Sequence, residues 1–293
     1  GWDGFFMFLE DALDGQVLGV SVPLIGDQLK DASRFISDIR QRVVDNLSVV
    51  GANSVAFVQQ GIYDALGPGG LNWLQDVDGG GVTKADVLVY ANGTNVTSML
   101  ANPTTPINEN TQTIEFEVSL QKSMAIVDEP IDFDIGLPGL GLDIDGNVQL
   151  KTGFNIPQLR FGVGKSEGAF VRTDLNTQEI SFDIEATIPG LEATGTLGFL
   201  QVDATDMGSI VSLDFGIDLK EPGGDGKLTI DELFSASSLS DVVDAQVDGA
   251  ANVDLHLVAS FGGNVSFPTI ETDLDIDWSF LNADTSSSSI SFG

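Results

Sequence analysis

Residues 131–171 read IDFDIGLPGLGLDIDGNVQLKTGFNIPQLRFGVGKSEGAFV, and this stretch decides the fold. Ile131, Phe133 and Ile135 alternate with Asp132 and Asp134, and the two-residue period returns over 142–151 and 154–163. A period of two sends successive side chains to opposite faces of a strand. Apolar residues alternating with Asp therefore predict a sheet with one buried and one wet face. The same pattern extends downstream over 168–174, 178–188, 191–203, 209–219, 243–260 and 263–280. Upstream it covers Val87, Val89 and Ala91, then Ile114, Phe116, Val118 and Leu120. Asp145-Gly146, Gly164 to Gly168, Asn176-Thr177 and Gly262-Gly263 supply turn signals between runs. About ten strands with short links imply antiparallel hairpins and meanders, because parallel pairing needs long crossovers.

Before about residue 76 the apolar period is helical. Phe5, Phe6, Phe8, Leu9, Ala12 and Leu13 form one stripe. Leu29, Ala32, Phe35, Ile36, Ile39, Val43 and Leu47 form a second, starting near Asp27. Val55, Val58, Ile62 and Leu66 form a third that stops at Gly67–Gly70. The expected architecture is α+β and mostly β: a long antiparallel meander sheet with an N-terminal helical segment packed on it. The expected division is a helical segment over 1–75 and an antiparallel β domain over 76–293.

Composition narrows the function. The 293 residues carry 44 acidic and 12 basic side chains, a formal charge of −32, with one histidine and no cysteine. Disulfides, zinc-thiolate sites and cysteine nucleophiles are excluded. A phosphate backbone is repelled, so no nucleic-acid partner is expected. No run of 18 apolar residues predicts a membrane span. The acids are 32 Asp and 12 Glu, a ratio that favours turns and oxygen-ligand cation sites over solvated helix faces. The termini, Gly1 and SSSSISFG, lead us to expect a mature protein or a segment of a longer one.

Two loops have calcium-ligand spacing. EPGGDGKLTIDE, Glu221 to Glu232, fits the twelve-residue EF-hand loop. Glu221 takes the first position, Asp225 the fifth and Gly226 the sharp turn. Lys227 offers its carbonyl, Thr229 takes the ninth position, and Glu232 is the closing carboxylate. Gly223 stands where an Asp or Asn is expected, and Pro222 argues against an entering helix. The alternative is a Gly-rich hairpin leading into a short helix, with Thr229 and Glu232 forming a capping box. The second loop is DVDGGGVTKAD, where Asp76, Asp78 and Gly81 match positions one, three and six. Gly80 replaces the fifth-position acid, and Asp86 arrives one residue early. Acid ladders on the strands (Asp132/Asp134, Asp143/Asp145, Asp273/Asp275/Asp277) are a third place for cations, or simply a solvated face.

Catalytic signals are missing. His256 shares parity with Asp254 and so belongs to the wet face. The sequence has no nucleophile elbow and no phosphate loop. Sequons stand at Asn46, Asn92, Asn95 and Asn264. VLGVSVPLIGDQLKDASRFI, DVDGGGVTKADV, the run 137–171, IPGLEATGTLGFLQV and GGDGKLTIDEL together resemble modules of the very large secreted or surface repeat proteins of environmental bacteria, of planctomycete and cyanobacterial type, with dockerin-like calcium loops. That resemblance implies an extracellular or cell-surface, modular and often calcium-dependent protein. The function expected is a non-enzymatic structural module of a filament, matrix or adhesin, stabilised by Ca2+ and associating with itself or neighbouring repeats. The alternative is a module that binds glycans or amphiphiles in a groove between helices and sheet.

Overall fold

The structure, a computed structural model, describes residues 55–101, 111–137, 140–175, 178–261, 269–280 and 291–292. The two helices expected over 3–13 and from Asp27 lie outside these residues. The third is present as α1, Val55–Leu66. A thirteen-stranded sheet dominates the rest, so the α+β, mostly β expectation holds. Its first strands are β1 (Leu88–Ala91), β2 (Thr94–Asn95), β3 (Thr113–Leu137), β4 (Leu140–Gly164) and β5 (Gly168–Arg172). Then come β6 (Ile180–Thr187), β7 (Glu192–Leu197), β8 (Leu200–Asp206), β9 (Ile210–Leu219) and β10 (Lys227–Thr229). A short helix, α2 (Ile230–Ser235), precedes β11 (Val243–Phe261), β12 (Ile270–Phe280) and β13 (Ser291–Phe292). The order is β13-β12-β11-β8-β7-β4-β3-β1-β2, with β5, β6, β9 and β10 off this path. Every pair whose register is described is antiparallel.

Element boundaries depart from the expectation where runs merge, 114–120 with 131–135 in β3 and 142–151 with 154–163 in β4, and at two glycines. Asp145-Gly146 is not a turn, because β4 runs straight through it and Asp145 pairs with Glu192. A Cβ on Gly146 would lie 2.9 Å from the Leu191 Cα, so this glycine serves close backbone approach. Conversely the single run 191–203 breaks into β7 and β8 at Gly198, whose φ of 63° favours glycine.

The chain forms two compact units of interleaved segments. The first comprises Gly1–Lys122, Phe154–Ser181 and Gly216–Ala245, and so joins residues on both sides of position 75. Its core includes Ile62, Leu66, Leu120, Phe154, Ile156 and Phe170, all nearly inaccessible to solvent. Trp73 meets Phe154 edge-on at 5.0 Å. The opposite face of β3 was expected to be wet, yet Glu115 and Glu117 are buried there. Arg172 Nε stands 3.3 Å from Glu115, and Arg160 Nε donates to Glu117 at 2.7 Å while its guanidinium covers the Tyr90 ring. A buried carboxylate needs such a partner.

The second unit comprises Ser123–Gly153, Phe182–Phe215 and Gln246–Gly293. Here the expected alternation is plain. Leu255 pairs with Leu274 on one face, while His256 pairs with Asp273 on the other. His256 Nδ1 lies 2.8 Å from Asp273, and Asn252 donates to Asp275 and Asp277 at 3.0 Å each. The Asp273/Asp275/Asp277 ladder is thus served by side chains of β11. The Asp132 and Asp134 side chains lie outside the described ones.

Candidate cation-binding loops

Both calcium-spaced loops belong to the first unit. The 76–86 loop is anchored at each end. On its entering side Leu74 bridges to Leu120, and Gln75 N donates to the Ser119 carbonyl at 2.9 Å. On its leaving side Gln59 of α1 donates Nε2 to the carbonyls of Lys84 (3.2 Å) and Val87 (2.8 Å). Val87 and Val89 are fully buried, so β1 fixes the exit. The helix therefore has a direct role in shaping the loop.

Within that frame the acids converge. Asp76, Asp78 and Asp86 bring carboxylate oxygens within 4.8 Å of one another, the one such group of three among the described residues. Asp76 Oδ1 accepts from Gly79 N at 2.7 Å, and Oδ2 from Gly81 N at 2.7 Å. Gly79 and Gly81 have φ of 81° and 90°, a conformation L side chains seldom adopt. Asp78 accepts from Gly80 N at 2.8 Å. Asp86 is fully buried and accepts from Val77 N (2.8 Å) and Thr83 N (2.7 Å). The Gly81 N–H is the largest influence on Asp76; with the Gly79 and Asp78 N–H groups it holds that carboxyl below its ordinary value against desolvation. Three carboxylates this close concentrate acceptor oxygens at one point, an arrangement that suits a hard cation with oxygen ligands.

The 221–232 loop shares the design. Glu221 Oε2 accepts from Gly226 N at 3.1 Å, the same five-residue reach as Asp76 to Gly81. Burial pushes the Glu221 carboxyl up, but the N–H groups of Gly226, Asp225, Gly224 and Gly223 outweigh it and hold it below its ordinary value. Leu228 is buried and pairs with Val171, which fixes β10 on β5. Thr229 caps α2: Glu232 N donates to its Oγ1 at 3.2 Å, and Glu232 Oε2 accepts from Thr229 N at 2.9 Å. Thr83 and Asp86 form the same capping box around the 3-10 turn Lys84–Asp86.

The capping reading of Thr229 and Glu232 is therefore realised, and it occupies one oxygen of Glu232. Among the described residues the side-chain hydrogen bonds of Glu232 go to Oε2 and not to Oε1. Glu221 Oε1 and Glu232 Oε1 lie 2.8 and 2.9 Å from the point where a Gly223 Cβ would stand. Glu221 Oε1 is buried without a hydrogen-bond partner among the described residues. Two carboxylates thus converge where the missing third-position ligand would reach. Asp225 does not complete a group of three with them; it accepts from Lys227 N at 3.0 Å. The Lys227 ammonium is paired with Glu167 at 3.0 Å.

Spacing pointed to both loops, and the three-acid convergence lies in the 76–86 loop, where Asp86 sits on the 3-10 turn Lys84–Asp86. No family model, curated protein or solved structure matches the chain. No helix among the described residues is long and apolar enough to cross a membrane.

Proposed function

We propose that this chain is a non-enzymatic, extracellular structural module of a filament, matrix or adhesin, stiffened by calcium at two loops and associating with copies of itself. The convergence of Asp76, Asp78 and Asp86 within 4.8 Å carries this reading. The second loop supports it through the aligned oxygens of Glu221 and Glu232. Thr229 and the Lys227 carbonyl complete the ligand set proposed there, with Asp225 drawn in from the loop's exposed side. A formal charge of −32 supports it too, because bound divalent cations relieve self-repulsion. The extracellular assignment rests on the sequence resemblance.

The test is a thermal melt at constant ionic strength in EDTA, calcium or magnesium. Extracellular calcium modules have Kd values of about 10⁻⁴ to 10⁻³ M. At 10 mM calcium, ligand binding to the folded state then adds about 1.4 to 2.7 kcal/mol per site. That corresponds to a rise of roughly 3–10 °C. Asp76→Asn with Asp78→Asn should remove part of the rise, and Glu221→Gln with Glu232→Gln the rest. Equal responses to calcium and magnesium, or a full calcium response in the quadruple variant, overturn the reading.

A further inference from the structure

We infer that the end of the second unit's sheet around the β7–β8 turn is a lipid-insertion edge, which seats the chain on a zwitterionic bilayer. This goes beyond the function proposed above and draws nothing from the cation loops, which belong to the first unit. The register sets out the edge row by row. Leu140, Leu197, Leu200 and Phe261 are paired in the outermost row, across β4, β7, β8 and β11. The next two rows inward pass through Gln201 and Val202. A two-residue turn, Gly198-Phe199, closes the hairpin, with Gly198 at φ 63°.

Large apolar side chains stand in solvent at this end. Leu197 is 65% exposed and Phe199 73%, and Phe261, stacked on Phe199 with ring centroids 6.0 Å apart, is exposed as well. Two-residue turns ordinarily take Gly, Asn or Asp, as Asn92-Gly93 does between β1 and β2. Nothing in the backbone of the β7–β8 turn calls for a phenylalanine, and a polar residue there would hydrate freely. An aromatic ring at such a position, flanked by Leu197 and Leu200, marks a surface that leaves water when it acts.

The distribution of charge identifies the occupant. Residues 137–142, 193–202 and 257–270 hold no charged side chain, in a chain of which 19% is charged. The first charges, Asp143, Asp203 and Glu271, share the fourth row, in which Asp203 pairs with Val258 and Val258 with Glu271. Three rows at about 3.3 Å each leave the edge free of charge for about 10 Å. That matches the 5–10 Å to which a surface-bound element enters the boundary between headgroups and acyl chains. Thr196, Gln201 and Ser260 in the second row are uncharged hydrogen-bonding groups, which suit headgroup depth. A protein partner fits less well: three exposed side chains fall short of the roughly 800 Å2 per partner of a specific interface, and a basic partner finds no acid at this end. The formal charge of −32 disfavours anionic lipid and so selects a zwitterionic surface.

Flotation of the full chain with phosphatidylcholine vesicles, in EDTA and about 0.15 M salt, tests this. The bound fraction should rise with lipid concentration. Leu197→Asp and Phe199→Asp, at positions already exposed, should each lower the partition coefficient at least tenfold while keeping the parent's melting midpoint in lipid-free buffer. Because the chain has no cysteine, Phe199→Cys can carry a single environment-sensitive fluorophore. Its emission should rise on the vesicles and be quenched by brominated acyl chains, whereas the same label on Glu192→Cys, at the far end of β7, should respond to neither. Adding phosphatidylserine to the vesicles should weaken binding. A parent that does not float with phosphatidylcholine overturns the inference, as does binding indifferent to Leu197 and Phe199 or binding that needs the anionic lipid. An oligomer in sedimentation velocity that Phe199→Asp dissociates overturns it too, because the edge is then covered by a second copy.

Discussion

Glu179 shows how much a single residue's chemistry depends on what covers it. Its parity is that of Ser181 and Asp183, so alternation puts it on the wet face. It is instead 1% exposed. Oε2 accepts from Leu219 N at 2.6 Å, and Oε1 has no partner among the described residues. Burial pushes the carboxyl up to about 7; the Leu219 N–H opposes this and the nearby Asp218 charge adds to it. Because the folded value lies above the ordinary 4.5, stability from this group is full below that value and is lost as pH rises through about 7. At about 1.4 kcal/mol per pH unit, the loss is on the order of 3 kcal/mol. Glu179→Gln keeps an acceptor for Leu219 and cannot ionise. The stability difference between variant and parent, from urea melts at pH 5 to 8, should move in the variant's favour with rising pH. A difference that does not change with pH removes the idea. Nothing local in Thr177-Gln178-Glu179-Ile180 announces this burial, because it comes from elements distant in sequence.

At the scale of elements, the sequence was most legible where one rule acted alone. The two-residue period placed the strands, and Gly67 to Gly70 placed the end of α1 at Leu66. It misled where a residue had two uses. Asp-Gly favours a turn when the chain reverses, but Gly146 lies in a continuous strand because Leu191 comes so close. Gly146→Ala tests the close approach. Against the Leu191 backbone the change should cost about 1–3 kcal/mol. Chemical denaturation in EDTA measures it, and an unchanged midpoint contradicts the continuous strand. The loops were legible for a similar reason. First acid, glycine turn and capping box are local features, readable in both. The convergence of Asp86 with Asp76 and Asp78 was not, since the chain next to Asp86 is held partly through Gln59, which grips the Val87 carbonyl 28 residues away.

For the whole molecule the dominant quantity is charge. Few basic side chains offset 44 acids, and two of them, Arg160 and Arg172, are committed to Glu117 and Glu115. They satisfy buried carboxylates, Arg172 also reaching the exposed Asp174 at 3.3 Å, and with 12 basic side chains against 44 acids most exposed acids keep their charge uncompensated. Self-repulsion among those acids opposes the compact state and acts over about 10 Å at 0.1 M salt, shrinking to about 3 Å at 1 M. Monovalent salt alone should therefore stabilise the chain. Between 20 and 500 mM NaCl, in EDTA, the melting midpoint should rise by on the order of 5 °C and then level off as screening saturates. Calcium at constant ionic strength should add a further rise that saturates separately, since it comes from sites and not from screening. The Asp76/Asp78 variant isolates the two: its salt response should match the parent's while its calcium response falls. A midpoint indifferent to NaCl means the exposed acids are already spaced or protonated beyond mutual influence. In that case the charge cannot explain a need for bound cations, and the loops alone must.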